Sequence, residues 1–217
     1  MSGLGTGTKA SGVSNVDTYA LIELEDVSDA LQWTTAEAVS ENNLLVSLIN
    51  RVSTRMETYC GRKFKARSYI EYQDGDGSPM VFTDHYPITS VSALWDDTER
   101  EFTDSSNDLL ASADYMIYSD EGSIRLYNDE TTFNKGYQNI KITYSGGYEV
   151  DSPELEDLGQ ACLDWVLTLY RRIKDRTHGY MTKSASGASV LIDLKAIPES
   201  VKMVLDAYKK PKVNLGR

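Results

Sequence analysis

A chain of 217 residues, 41% hydrophobic and 25% charged, has the length and composition of a soluble globular protein of one or two domains with a sizeable core. Its 22 Lys and Arg against 33 Asp and Glu leave a formal net charge of −11. That charge disfavours wrapping nucleic acid but suits a surface that DNA must pass without sticking. No apolar run approaches the ~20 residues that span a bilayer, and the N-terminus lacks the basic-then-apolar layout of a signal peptide.

Residues 1 to about 17 are mostly Gly, Ser and Thr and predict a flexible arm unless a partner orders it. A short helix is expected over Glu25 to Gln32. A longer one is expected from Ser40, a suitable N-cap, with Leu45, Leu48, Ile49, Val52, Met56 and Tyr59 as its apolar face. Gly61 can end it in a left-handed C-cap.

Period 2 then takes over. Ser68, Ile70 and Tyr72 alternate with Arg67, Tyr69 and Glu71. Asp74-Gly75-Asp76-Gly77 is a turn, and Met80 to Phe82 is expected to return as the partner strand. Pro87-Ile88 opens another strand through Val91, Ala93 and Trp95. Tyr115 to Tyr118 and Ser123 to Tyr127 flank Asp120-Glu121-Gly122 as a hairpin. Ile140, Ile142 and Tyr144 alternate with Asn139, Lys141 and Thr143, and Ser145-Gly146-Gly147-Tyr148 breaks that strand.

Ser152 is placed to cap a helix with Pro153 at its first position and Glu154 and Glu156 near its positive end. Leu155, Leu158, Cys162, Trp165, Val166, Leu169 and Ile173 follow at helical spacing, and the two long helices are expected to pack through Leu48, Val52, Met56, Leu158, Cys162, Trp165 and Leu169. The segment from His178 to Ser189 reads as a flexible loop. A last short helix covers Pro198 to Tyr208, with Val201, Val204, Leu205 and Tyr208 on one side. The sequence has no internal repeat. The expected fold is α+β: a helical bundle from the N- and C-terminal segments with an inserted antiparallel β-module. The expected division is an arm at 1–18, helical parts at 19–63 and 150–217, and the module at 64–149.

Candidate chemistry is sparse. Asp74, Asp76 and Ser78 begin like a calcium loop, but its twelfth position is His85 and Pro79 interrupts it, so a turn is expected. Gly3 to Lys9 lacks the spacing of a phosphate-binding loop. His85 and His178 have no Cys or His at ligand spacing. Cys60 and Cys162 fall on apolar helix faces and are expected as buried free thiols in a reducing compartment. No Gly-x-Ser-x-Gly elbow marks a nucleophile. No catalytic residue, metal or cofactor is expected. Arg171, Arg172, Lys174 and Arg176 either complement the helix dipole or contact an acidic neighbour. Lys209, Lys210 and Lys212 around Pro211 are either a frayed end or a docking segment.

The order of several fragments is informative. These are Tyr59-Cys60-Gly61-Arg62-Lys63-Phe64, Tyr72-Gln73-Asp74-Gly75-Asp76-Gly77, Tyr86-Pro87-Ile88-Thr89-Ser90-Val91 and Ile140-Lys141-Ile142-Thr143-Tyr144-Ser145-Gly146-Gly147-Tyr148. Leu169-Tyr170-Arg171-Arg172, Ile197-Pro198-Glu199 and Tyr208-Lys209-Lys210-Pro211 close the series. Together, over roughly residues 19 to 212, the chain resembles the head–tail connector (adaptor, head completion) proteins of tailed bacteriophages.

The resemblance implies a structural protein of the virion neck, assembled in the host cytoplasm as a ring of about twelve copies beneath the portal protein. Its far side would meet a stopper or tail-completion protein, and double-stranded DNA would pass through without specific binding; no membrane is involved. The C-terminal segment would dock on the portal, which here points to Val201, Leu205, Tyr208, Lys209, Lys210, Pro211 and Lys212. Arg171, Arg172 and Arg176 would make subunit or partner contacts. The β-module departs from the compact, mostly helical members. Two other classes are weighed: a phage or host hydrolase with a helical lid, and a nucleic-acid-binding regulator, which the charge disfavours.

Overall fold

The computed structural model describes residues 15–103, 108–127, 131–175, 182–185, 188–191 and 197–210. Helices α1 (Leu24–Ala30) and α2 (Thr35–Cys60) come first. Strands β1 (Arg67–Gly75), β2 (Met80–Phe82), β3 (Ile88–Asp96), β4 (Tyr115–Tyr118), β5 (Ser123–Leu126) and β6 (Gly136–Gly146) follow. Helix α3 (Pro153–Lys174), the hairpin β7 (Thr182–Ala185) with β8 (Ala188–Leu191), and α4 (Glu199–Ala207) complete the order. The fold is α+β, with helices at both ends of the sequence and antiparallel strands between them. Two compact units form: Met1–Tyr59 with Leu158–Tyr208, and Cys60–Asp157 with Lys209–Arg217.

In the first unit, α2 begins at Thr35, five residues before the expected Ser40 cap, and Ser40 sits exposed inside the helix. The sequence reason lies upstream. In the sequence Thr34 and Glu37 have the spacing of a capping box, an earlier start signal than Ser40. The expected face is buried: Leu45, Leu48, Ile49, Val52 and Met56 are essentially inaccessible. On α3, Leu158, Cys162, Trp165, Val166 and Leu169 are buried in the same way.

The two helices meet where Ser53 Oγ and Cys162 Sγ lie 3.7 Å apart and the Arg55 guanidinium stands 5.8 Å from the Trp165 ring centre. Ser53 Oγ also accepts the Leu21 N–H, and Lys174 Nζ reaches Glu41 at 2.5 Å. Each large side chain buried here contributes about 1.5–3 kcal/mol. Gly61 ends α2 at φ +68, as a left-handed cap requires. Ser152 Oγ accepts the Leu155 N–H at 3.3 Å, which starts α3 as expected. Both cysteines are buried and neither is in a disulfide. The pairing of β7 with β8 is a correction: part of the segment from His178 to Ser189, expected as a loop, is in paired strands. Strand-favouring Thr182, Val190 and Leu191 were masked by the Ser, Ala and Gly around them.

In the second unit two three-stranded antiparallel sheets form, in the orders β1-β6-β3 and β2-β5-β4. The expected β1–β2 hairpin is therefore wrong. β1 pairs with β6 in register Tyr69↔Tyr144 and Glu71↔Ile142, whereas β2 pairs with β5 through Val81↔Ile124. The turn at Asp74–Gly77 carries the chain from one sheet to the other instead of closing a ribbon. The reason is the core. Ile140, Ile142 and Tyr144 of β6 and Leu94 of β3 bury against Val81 of β2, Tyr115 of β4 and Ile124 and Leu126 of β5. Two separate sheets bury both apolar sets; one hairpin would bury neither. Gly75 is required at the crossing, because a Cβ there would lie 1.8 Å from the Asn134 carbonyl oxygen.

Candidate assembly interface

β1 faces the opposite way from what its residue types suggest. Arg67, Tyr69, Glu71 and Gln73 turn towards the inner side, while Ile70 (61% exposed) and Tyr72 (50%) point outward. On the other sheet Phe82, Met116, Ile117 and Tyr118 are exposed as well. Such clustered apolar exposure on a water-facing β-unit is the usual mark of a protein contact surface.

On the inner side of β1 the Glu71 carboxylate is held by hydrogen bonds that favour this orientation. Tyr144 donates its hydroxyl hydrogen to Glu71 and accepts the His85 N–H at 3.1 Å. The Glu71 carboxylate also accepts the Asp84 N–H at 3.1 Å. Burial and the neighbouring Glu71 carboxylate hold the Tyr144 hydroxyl protonated far above the ordinary tyrosine range. His85 stacks on Tyr69 with ring centres 3.8 Å apart, and burial lowers its pKa below the ordinary histidine value. It is thus a packed neutral ring.

A second network closes the far end of the sheet. The Asp96 carboxylate accepts the Asn134 N–H at 2.8 Å and the Asn139 side-chain N–H at 3.2 Å; burial raises its pKa. Asp97 next door goes the other way. Its carboxylate accepts the N–H groups of Phe102 (2.7 Å), Glu99 (2.9 Å) and Arg100 (3.0 Å), which lower its pKa.

These arrangements support structure. Asp74 accepts the Gln138 N–H at 2.8 Å and Asp76 the Ser78 N–H at 2.7 Å, the work of turn residues. Among the described residues no group of three His, Cys, Asp or Glu side chains could hold a metal ion, and no helix is long and apolar enough to cross a membrane.

The residues singled out for partner contact fall in different places. Val201 and Leu205 are buried in the helical unit, so α4 spends its apolar strip inside the chain. Tyr208 is half-buried and its N–H reaches the Leu205 carbonyl at 3.1 Å. Lys210 belongs to the β-unit: its N–H donates to the Cys60 carbonyl at 2.9 Å and its Nζ to the Asp84 carboxylate at 3.0 Å. Arg171 is exposed and Arg172 half-buried on α3. Arg176, His178, Pro211 and Lys212 lie outside the described residues. The exposed strand β4 was not singled out from the sequence, although four successive large side chains, Tyr115-Met116-Ile117-Tyr118, on so short a strand leave an apolar group on each face.

The profile of the head completion protein family matches residues 20–211. The chain belongs to the head completion protein family. It is a structural, non-enzymatic protein of a phage-type virion that completes the head, at its junction with the tail. No curated protein matches the sequence. Among solved structures, this head completion protein is similar to a chain in the neck of an empty GTA particle computed with C6 symmetry. That match has a TM-score of 0.59 and 16% identity, and covers 94% of this chain and 97% of the other. It is equally similar to a chain in the virion of a native gene transfer agent (GTA) particle, with TM-score 0.58, 16% identity, and 94% and 96% coverage. The shared fold therefore includes the β-module as well as the helices.

Proposed function

We propose that this head completion protein is a head–tail connector: copies assemble as a ring in the neck, between the portal protein and a stopper or tail-completion protein, and give DNA a passive channel. The family match along residues 20–211 is the observation that carries this reading. The net charge of −11 supports a channel wall that does not hold DNA. A copy number that is a multiple of six, such as twelve, fits the symmetry with which the gene transfer agent neck was computed. Weak contacts repeated around such a ring add up by multivalency, so no single joint has to be strong.

In this reading residues 19–63 and 150–217 are the connector domain, 64–149 an inserted module and 1–18 an arm. The portal is met by the C-terminal segment. Val201 and Leu205 hold α4 to the bundle, Tyr208, Lys209 and Lys210 lead the chain out, and Pro211 and Lys212 belong to the part that reaches the portal. Arg171, Arg172 and Arg176 face an acidic neighbour in the ring. Particles made without the protein test the function as a whole. Filled heads that carry a portal but no tail are expected; tailed, infectious particles at the normal level would refute it.

A further inference from the structure

β1 and β4 are outer strands of the two sheets in the β-unit, and no described strand pairs with the free edge of either. Soluble proteins protect such edges with charged side chains, prolines or a covering segment. Here the outward positions of β1 are Ser68, Ile70 and Tyr72, and Met116, Ile117 and Tyr118 of β4 are all exposed in succession. The flanks carry opposite charge. Lys63, Lys65 and Arg67 lead into β1, and Asp120 and Glu121 follow β4. A closed ring joins each subunit head to tail, which requires two different and complementary patches on one molecule. These two edges are such a pair.

We infer that β1 of one subunit pairs antiparallel with β4 of the next, continuing a sheet across the joint. The inference rests on the ring reading above. The side-chain period limits the register to shifts of two residues. Ile70 and Tyr72 share the outward face of β1, and Met116 and Tyr118 share the outward face of β4. Placing Tyr118 opposite Ile70 puts Met116 opposite Tyr72 and sets the acidic turn at Asp120 and Glu121 beside the basic start of β1, so apolar side chains meet apolar ones and acid lies near base. Main-chain hydrogen bonds would supply the attraction and the cross-strand pairs the selectivity.

Disulfide trapping in assembled particles tests the joint. A chain carrying both Ile70→Cys and Tyr118→Cys, oxidised in particles, should give a ladder of linked oligomers on a non-reducing gel. Ile70→Cys with Ile117→Cys, whose side chains fall on opposite faces, should give none. All three positions are exposed, and a melting temperature equal to the parent's shows that the variants fold. Many copies per particle without the ladder would overturn the joint while leaving the ring intact. A single copy per particle would overturn the ring reading and the joint with it. A link from the residue-118 cysteine to another virion protein would overturn the joint and identify the true occupant of that edge.

Discussion

The Tyr144 hydroxyl on β6 donates its hydrogen to the Glu71 carboxylate on the neighbouring β1. That bond explains why β1 shows its polar side to the interior and its apolar side to the outside. Removing the carboxylate in Glu71→Ala leaves the Tyr144 hydroxyl and the Asp84 N–H without it. The buried Tyr144 hydroxyl stranded in this way costs about 1–3 kcal/mol, whereas the exposed Asp84 N–H turns to water. A denaturant titration should show a lower midpoint with an unchanged slope.

The same tyrosine predicts alkaline sensitivity. Its pKa is raised in the folded state, so the fold holds the proton more tightly than the unfolded chain does. That contribution is complete below the ordinary tyrosine value of about 10 and is lost as pH rises above it. Tyr144→Phe should flatten the fall in melting temperature at high pH.

Asp96 and Asp97 are adjacent and should respond to pH with opposite sign. Asp97 has a lowered pKa, so its contribution is present above the ordinary carboxylate value of about 3.9 and is lost as pH falls through the depressed value. Asp96 has a raised pKa, so its ionisation weakens the fold as pH rises through that value. Asp97→Asn should lower the melting temperature at neutral pH and reduce the acid dependence. Asp96→Asn should lose least at neutral pH relative to acid. Melting curves between acid and neutral pH separate the two.

In the helical unit, Trp165→Ala removes a side chain that is only 3% exposed. Truncations of this size in a packed core cost about 3–5 kcal/mol. An unchanged melting temperature would mean that α2 and α3 do not depend on this contact.

Deletion from Pro211 onward leaves the Lys210 contacts to Cys60 and Asp84 in place. The shortened protein should fold normally and fail to attach to filled heads, which counting tailed particles by electron microscopy would reveal. Normal attachment would move the portal contact to another surface.

Much of this was legible in the sequence. The α2 face from Leu45 to Met56, the Ser152–Pro153 start of α3 and the alternation of Ile140, Ile142 and Tyr144 all follow from periodicity and capping. What escaped were pairings. Nothing local says that Met80 to Phe82 belongs with Ser123 to Leu126 and not with the strand just before it, because that choice is made by core burial between sheets. The start of α2 at Thr35 is hidden because the apolar repeat is clearest from Leu45, and the first turns of the helix show little of it. Nor could the sequence say that Ile70 and Tyr72 face out. The side that turns inward was decided by Tyr144 and Asp84 reaching Glu71, contacts more than ten residues away in sequence.

As proposed, the protein works as a ring between the head and the tail. Imaging the neck of intact particles by electron cryomicroscopy, with antibody labelling of this chain, tests it most directly. A closed ring of copies, a multiple of six, seated on the portal around a DNA-wide channel is expected. Label absent from the neck, or a single copy bound at its side, would contradict it.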